Sequence, residues 1–411
     1  MKKVVVTGMG IISPLGNDVN TFWDNLKNGN SGISSIDTFD VSNLKTRIAG
    51  LVRNFDPVER WGAKEARKLD RFVQFSLAAA EEALESSKLQ LENIDRERFG
   101  VYVGSGIGGI QTLIDSVNTL NDRGPGRVSP NLVPMMISNA AAAQISIKFG
   151  AQGPSLSPVT ACSIGNTSIG EAFNTIRNGD ADIIFAGGSE AAITNLSLAS
   201  FGNAKALSNR NEDPERASRP FDAERDGFVM SEGAGILVLE SLEHALQRNA
   251  PILCEVIGYG ASSDAYHMVA SHPDGKGAYL AMKNALLKAG ISAKEVDIIS
   301  AHATSTLVGD LSETHAIKKL FGDLAYQIPV TANKSMLGHM LGAAGGVEAI
   351  ALVKSLQEGI IPPTINLESP DPECDLDYVS EGARKVPLSI GLSNSFGFGG
   401  HNSAIILKKF E

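Results

Sequence analysis

The sequence predicts an α/β protein built from two related halves. Three observations support this: strand-like and helix-like segments alternate, the 411 residues exceed the usual size of one hydrophobic core, and short motifs recur in both halves. No low-complexity linker separates the halves. We place their boundary near residue 250, which gives an N-terminal half of residues 1–250 and a C-terminal half of residues 251–411.

The predicted strands are short apolar runs rich in β-branched residues. In chain order they are KVVVTG, FGVYVG, DIIFAGG, GILVLE, CEVIGYG, DIISAH and NSAIILKKF. Longer helical patterns lie between them, and the clearest one ends at Gly179. Its apolar face consists of Ile169, Ala172, Phe173 and Ile176. A second pattern covers about 340–358 and ends at Gly359, so the alternation favours an α/β fold.

Two sequence echoes indicate an internal duplication. VTGMG at 6–10 resembles VIGYG at 256–260, and PVTA occurs at both 158–161 and 329–332. A glycine-rich turn and a long helical pattern follow each PVTA. We interpret the echoes as the trace of two related α/β halves.

Composition and charge exclude several classes of protein. A net charge of −10 argues against a general nucleic-acid binder, which needs a basic surface. No run of 18 apolar residues is present, so we expect no membrane span. The three cysteines are too few and too widely spaced for a disulfide framework. They suit a reducing compartment, and we expect a cytoplasmic location.

Cys162 is the candidate nucleophile. It follows the strand-like SPVTA and stands at the start of a helical pattern, where free backbone N–H groups and the helix dipole stabilise a thiolate. We therefore expect a lowered thiol pKa. The alternative, an inert buried cysteine, stays open. Cys254 and Cys374 lack this context and are interpreted as structural.

Two histidines lie where α/β folds place ligand groups. His302 directly follows a predicted strand, and His339 lies in the turn after the second PVTA. Either one alone would be interpreted as structural. Together with Cys162 they make a catalytic site the better interpretation.

Two glycine-rich segments have competing interpretations. NSFGFGGHN at 394–402 could supply backbone N–H donors to an oxyanion, or it could be a tight turn. GSGIGG at 104–109 satisfies the dinucleotide fingerprint, with Asp122 near the expected distance. That motif lies in the middle of the N-terminal half, not at its first strand-to-helix turn, and no clear helix start follows it. We therefore expect its glycines to allow close approach of a ligand chain or a facing subunit.

A basic stripe stands out on this acidic chain. KEARKLDR places Lys64, Arg67, Lys68 and Arg71 at helical spacing. The stripe is either a solvated helix face or a docking patch for a small acidic partner.

Together these motifs resemble the β-ketoacyl-acyl carrier protein synthases of the thiolase superfamily, in particular the synthase II type. The resemblance covers essentially the whole chain. It includes VVVTGMGIISPLGN, KEARKLDRF, GSGIGG, SRPFDAERDGFVMSEGAG, DAYHM, HATST, KSMLGHMLGAAGG, PDPECDLDYV and NSFGFGGHN. It implies a thiolase-like fold with two duplicated α/β halves in a five-layer α-β-α-β-α arrangement, and a homodimer.

The resemblance also implies a reaction, a decarboxylative Claisen condensation in fatty-acid elongation. Cys162 would carry an acyl group as a thioester, and His302 and His339 would stabilise the enolate that malonyl-acyl carrier protein forms as CO2 leaves. The product would be 3-oxoacyl-acyl carrier protein. No metal or organic cofactor is implied, since phosphopantetheine arrives on the carrier protein.

Further roles follow from positions that match the family's motifs. They are Lys334 paired with Glu348 beside the catalytic groups; the backbone amides of Cys162 and Phe398 as an oxyanion hole; Thr304 and Thr306 for phosphopantetheine; Ile107, Phe201 and Phe398 for the acyl pocket; and Lys64, Arg67, Lys68 and Lys205 for carrier-protein docking.

The sequence departs from the usual pattern at three places. Ile164 replaces a common Thr, Leu307 a frequent Pro, and Lys205 a common Arg. These changes bear on chain-length preference and carrier affinity. The alternatives are a polyketide or aryl-polyene ketosynthase with the same triad, a non-catalytic partner subunit, against which Cys162 argues, and a dinucleotide-dependent oxidoreductase.

Overall fold

The structure, a computed structural model, describes all residues from 1 to 411. It contains fourteen strands and thirteen α-helices. The strands are β1 (Val4–Ile12), β2 (Ile33–Ser35), β3 (Ile48–Gly50), β4 (Phe99–Gly104), β5 (Ser155–Leu156), β6 (Ile183–Glu190), β7 (Gly233–Ser241), β8 (Cys254–Ser263), β9 (Ile298–Ser300), β10 (Val330–Thr331), β11 (Ile360–Ile361), β12 (Arg384–Lys385), β13 (Ile390–Gly397) and β14 (His401–Lys409). All seven predicted strands are present.

The helices alternate with these strands along most of the chain. They are α1 (Val19–Lys27), α2 (Pro57–Ala66), α3 (Arg71–Ser87), α4 (Ile110–Arg123), α5 (Leu132–Met136), α6 (Ala140–Phe149), α7 (Ile164–Asn178), α8 (Asn195–Asn203), α9 (Leu242–Gln247), α10 (Lys276–Ala289), α11 (Leu307–Phe321), α12 (Lys334–Leu337) and α13 (Ala344–Glu358). No helix combines the length and the apolarity that a bilayer crossing requires.

The main sheet confirms the duplication. Its ten strands run in the order β10-β9-β13-β14-β8-β1-β7-β6-β4-β5, so the two halves mirror each other about the β8–β1 pair. That pair joins the halves through only three antiparallel residue pairs, Val4–Val6 with Cys254–Val256. Two small sheets, β2–β3 and β11–β12, lie outside it.

The helices complete five layers. α3 and α6 pack on the strands of the first half, and α10, with α11 against it, covers the second half. α7 and α13 pack against each other and contact strands from both halves, so they form the middle layer. The α-β-α-β-α prediction is confirmed.

The glycine echo has a packing reason. In β1, a Cβ on Gly10 would lie 1.9 Å from the carbonyl oxygen of Ala79 in α3. In β8, a Cβ on Gly260 would lie 2.1 Å from the carbonyl oxygen of Ala281 in α10. Each half therefore uses glycine in its innermost strand to bring its outer helix close.

The PVTA echo is wrong as a structural alignment. Its second copy includes strand β10, whereas its first copy lies after β5 and runs into the turn before α7. The true counterparts are two short 3₁₀ turns, Ala161–Ser163 before α7 and Leu341–Ala343 before α13. Both following helices have 15 residues and end at a left-handed glycine. The pattern expected from about residue 340 begins as α-helix only at Ala344.

The predicted division near residue 250 falls between α9 and β8. Because β1 of the first half pairs with β8 of the second, the sheet is continuous across that point. The boundary itself stays a prediction.

Candidate active site

One cavity of about 470 Å³ collects side chains from both halves. Cys162 comes from the first half, and His302 and His339 come from the second. All three line the same cavity, so the fold brings together the three groups that the sequence analysis singled out.

A strained turn presents Cys162 to this cavity. The preceding residue, Ala161, has φ of 50°, the left-handed region that non-glycine residues seldom adopt. The backbone N–H of Phe398 donates to the sulfur. Backbone strain of this kind persists only where the surrounding structure imposes it.

The prediction of a lowered Cys162 pKa is wrong for this structure. The side chain is 8% exposed, and its burial raises the pKa to about 12, against the opposing effects of the Lys334 charge and the Phe398 amide. The residue also lies in the 3₁₀ turn ahead of α7, not inside the first helical turn. Desolvation of the thiolate therefore outweighs the helix start, and the resting group is a neutral thiol.

His302 is held at the end of β9 through both its backbone and its ring. The Glu313 carboxylate accepts its backbone N–H at 2.9 Å. The Lys334 ammonium lies 3.4 Å from its Nδ1, which must then accept, so Nε2 carries the proton. Burial and the Lys334 charge lower the pKa of His302 well below its usual value.

His339 lies beyond α12, and its backbone N–H donates to Val229 at 2.7 Å. Its ring meets that of His302 edge to face, with 5.4 Å between centroids and an angle of 87°. Nδ1 of His339 has no partner within the protein. Burial, followed by the Lys334 charge, lowers the pKa of this histidine too, so the cavity holds two neutral imidazoles.

Lys334 and Glu348 form a buried ion pair behind the histidines, with 2.5 Å between Nζ and Oε1. Each residue is 1% exposed, and burial raises the pKa of Glu348 to about 7. Removing one partner of such a pair costs about 3–5 kcal/mol, because the other charge stays buried. The pair places a fixed positive charge beside His302.

Thr304 and Thr306 line the cavity, with 3.1 Å between their hydroxyl oxygens. The loop that carries them is strained, since Ser305 has φ of 70°. Asp310 of α11 accepts the backbone N–H of Ser305 at 3.1 Å. Arg225 donates to the backbone oxygen of Thr306 at 3.1 Å, so buried charged groups hold this loop in place.

Ile107, Phe201 and Phe398 also line the cavity. The rings of Phe201 and Phe398 lie 6.2 Å apart, and Phe398 is 37% exposed. Phe228 extends this apolar wall, at 5.5 Å from Phe201 and 5.3 Å from His339 between ring centroids. The cavity therefore has an apolar end and a polar end.

The basic stripe is not one helix face. α2 ends at Ala66, and Arg71 begins α3 with its guanidinium 2.8 Å from the buried Glu232. Three residues of the stripe remain exposed and outside the cavity lining: Lys64, Arg67 and Lys68. Lys205 is exposed and lines the cavity, so it lies at its opening.

The GSGIGG segment does lead into a helix, because α4 begins at Ile110, so the expectation that no helix start follows it is wrong. Its amides already have partners. The Glu190 carboxylate accepts from Gly106 and Ile107, and the Met136 carbonyl accepts from Gly109. A pyrophosphate would find these donors occupied, which argues against the dinucleotide alternative.

Several acidic residues around the site are not among those predicted from the sequence. Glu190 lines the cavity from the end of β6, and Asp310 and Glu313 support the 302–306 segment from α11. Two features of the sequence could have pointed to them. Glu190 is a charged residue at the end of an apolar strand, and Asp310 and Glu313 form an acidic pair three residues apart after HATST. The remaining cysteines, Cys254 and Cys374, are buried in hydrophobic clusters outside the cavity lining.

Comparison with known families gives two matches. Residues 1–245 match the model described as "Beta-ketoacyl synthase, N-terminal domain", and residues 253–368 match "Beta-ketoacyl synthase, C-terminal domain".

Individual relatives agree over the whole length. The chain is 49% identical over 410 residues to 3-oxoacyl-[acyl-carrier-protein] synthase 2 of Synechocystis sp. and 48% identical over 410 residues to the Staphylococcus aureus protein of that name, covering 100% of this chain and 99% of each relative. Among solved structures, a β-ketoacyl synthase from Burkholderia phymatum has a TM-score of 0.91 at 33% identity. A type II polyketide ketosynthase in complex with its acyl carrier protein has 0.92 at 36%. Both superpositions cover 100% of each chain. This chain belongs to the β-ketoacyl synthase family.

Proposed function

We propose that this protein is an acyltransferase that joins an acyl group to a malonyl unit, with loss of CO2, in fatty-acid elongation. The observation that carries the proposal is the shared cavity, in which the Cys162 thiol, the imidazoles of His302 and His339 and the Phe398 backbone N–H meet. The name shared by its full-length relatives supports the same reaction.

In the first step, the Cys162 sulfur attacks the thioester carbonyl of an acyl-carrier protein. The bond from acyl carbon to Cys162 sulfur forms, the bond to the pantetheine sulfur breaks, and the Cys162 proton leaves on the carrier thiol. The backbone N–H groups of Cys162 and Phe398 hold the negative oxygen of the tetrahedral intermediate. The neighbouring Lys334 charge favours the transient thiolate.

In the second step, malonyl-carrier protein binds and its thioester oxygen accepts hydrogen bonds from His302 and His339. CO2 leaves, and the electron pair of the broken carbon–carbon bond forms an enolate that these two neutral donors stabilise. The enolate carbon attacks the acyl carbonyl, the Cys162 sulfur leaves as a thiolate and takes up one proton from solvent, and 3-oxoacyl-carrier protein is released. The chemistry needs no metal or organic cofactor of this chain's own.

A polyketide or aryl-polyene ketosynthase with the same triad is the second candidate. The similarity to a solved polyketide ketosynthase structure supports this second candidate, because the fold is common to both. The two differ in the acyl chain carried on Cys162.

The test is intact-mass measurement after mixing the protein with acyl carrier proteins that bear saturated chains of graded length, followed by malonyl-carrier protein. We expect an acyl adduct on Cys162 and then release of 3-oxoacyl-carrier protein with CO2. Adducts only from polyketide or aryl-polyene intermediates would favour the second candidate. No adduct from any carrier protein would refute both.

We propose that acyl carrier protein docks through the exposed cations Lys64, Arg67, Lys68 and Lys205. The position of Lys205 at the cavity opening supports this, since the pantetheine arm must enter beside Thr304 and Thr306. A cytoplasmic location stays a prediction.

We also propose a homodimer. Helix α4 has no buried residue, although Leu113, Val117 and Leu120 form an apolar face at helical spacing. Strand β5 is the outermost strand of the first half, and its Leu156 is 45% exposed. An apolar helix face and an open sheet edge on the same half suit a second copy of this chain.

Native mass spectrometry should find twice the chain mass of 43.3 kDa. The double variant Val117→Glu with Leu156→Glu should shift the population to monomer, because it buries charge in the interface. The matched control is Leu287→Glu, an exposed apolar residue of α10. A monomeric native protein, or a dimer that survives the double variant, would contradict the proposal.

A further inference from the structure

Glu190 is the buried charge that the proposed reaction leaves without a role. It ends strand β6, is 0% exposed, and lines the cavity. No lysine, arginine or histidine forms an ion pair with it, and burial raises the pKa of its carboxyl. Burying a carboxylate without a neighbouring cation destabilises the folded state unless hydrogen bonds satisfy both of its oxygens. The hydrogen-bond partners of Glu190 must therefore account for its position.

Four neutral donors satisfy this carboxylate. Oε1 accepts from the Ser105 hydroxyl at 2.8 Å and the Ile107 backbone N–H at 3.1 Å. Oε2 accepts from the backbone N–H of Gly106 at 2.9 Å and of Gly342 at 3.1 Å. One side chain therefore ties the segment 105–107 of the first half to the 3₁₀ turn 341–343 of the second.

Both tied segments form walls of the cavity. Ile107 belongs to the proposed acyl pocket, and Leu341 also lines the cavity. The backbones of both segments pack closely around the carboxylate: a Cβ added to Gly106 or to Gly342 would lie 2.9 Å from Oε2 of Glu190. The carboxylate therefore sets the separation of these two walls.

The duplication explains why the second turn can bind a carboxylate. The turn at Cys162 and the turn at Gly342 each begin with a left-handed residue, Ala161 at 50° and Leu341 at 48°. In the first turn, the backbone N–H of the second residue, Cys162, is the one proposed to bind the oxyanion. In the second turn, the matching amide, that of Gly342, binds Glu190. The internal carboxylate thus occupies the oxygen-binding position of the duplicate turn.

We infer that Glu190 is a positioning residue that sets the depth of the acyl pocket by holding Ile107 against the 341–343 turn, and so selects acyl chain length. This inference rests on the proposed function. Glu190 itself takes no part in bond making. Loss of its carboxylate frees the Ile107 wall, which lets longer chains enter.

The test compares Glu190→Gln with Glu82→Gln. All four partners of the Glu190 carboxylate are hydrogen-bond donors, and the NH2 group of glutamine cannot accept from them. The substitution therefore removes the hydrogen bonds on one side of the group, with little change of side-chain volume. Glu82 is the matched control, because it accepts the backbone N–H groups of Ile11 and Val19 but does not line the cavity. Both variants are mixed with carrier proteins bearing short and long saturated chains, and Cys162 acylation rates are followed by intact mass.

We expect Glu190→Gln to raise the long-to-short rate ratio by about tenfold, the scale at which pockets discriminate chain length. Glu82→Gln should leave the ratio unchanged even if its melting temperature falls. An unchanged ratio in folded Glu190→Gln overturns the inference while the proposed function stands. If Glu190→Gln does not fold, Glu190→Asp, which keeps the charge but shortens the reach, must shift the ratio in the same direction. If the native protein is not acylated by any chain, the proposed function itself fails.

Discussion

Replacing Cys162 by alanine is expected to abolish acylation and product formation, lowering the condensation rate by at least about four orders of magnitude. The reason is that no other thiol lines the cavity. Incubation with acyl-carrier protein should then give no mass increase, and malonyl-carrier protein should yield no 3-oxoacyl product.

The matched control is Cys254→Ala, which removes a buried thiol of the hydrophobic core outside the cavity. It should lose stability by about 1–2 kcal/mol but keep the acyl adduct. Undiminished product from Cys162→Ala would eliminate the thioester mechanism.

The second large effect concerns the enolate. In a Cys162→Gln background, in which the amide side chain imitates an acylated sulfur, we expect decarboxylation of malonyl-carrier protein to persist. Adding His339→Ala should lower that rate about 100- to 1,000-fold, the usual loss when one oxyanion donor is removed. CO2 release measures it.

The same assay tests the charge state of the histidines. Burial lowers the pKa of both, so both are neutral at every pH above those lowered values. The two histidines should therefore contribute no step to the decarboxylation rate of Cys162→Gln between about pH 6 and pH 8, where an ordinary histidine would titrate. Because burial raises the pKa of Glu348 to about 7, the same profile is measured in the double variant Cys162→Gln with Glu348→Gln. A step near pH 6.5 that persists in this double variant would show that at least one imidazole is charged in the working site.

Strands that are uniformly apolar could be predicted from the sequence, whereas β13 could not. Its C-terminal part belongs to NSFGFGGHN, in which serine, asparagine and glycine mask a largely buried strand between β9 and β14. Those polar residues are buried because they support the site; Asn394, for example, donates to the Glu313 carboxylate at 3.0 Å. Where function places polar groups in the core, hydrophobic pattern loses its value as a guide.

Residue type was enough to nominate Cys162, His302 and His339, but not their protonation states. The Cys162 pKa depends on burial by residues from both halves, among them Phe201 and Leu341, that no local motif encodes. Glu190 was missed because its partners lie about 85 and 152 positions away in the chain. Local spacing can suggest which groups react, whereas their electrostatics arise only from tertiary packing.

The site is divided between the two halves, which has a consequence for how the protein is made. The ribosome delivers the N-terminal half first, with its thiol but without the Phe398 amide and the Lys334 charge that assist acyl transfer, and without either imidazole. Reactivity can appear only once α13 has docked against α7 and the late strands β9 and β13 have joined the sheet. The nascent chain is thus protected from premature acyl capture by the order of its own synthesis.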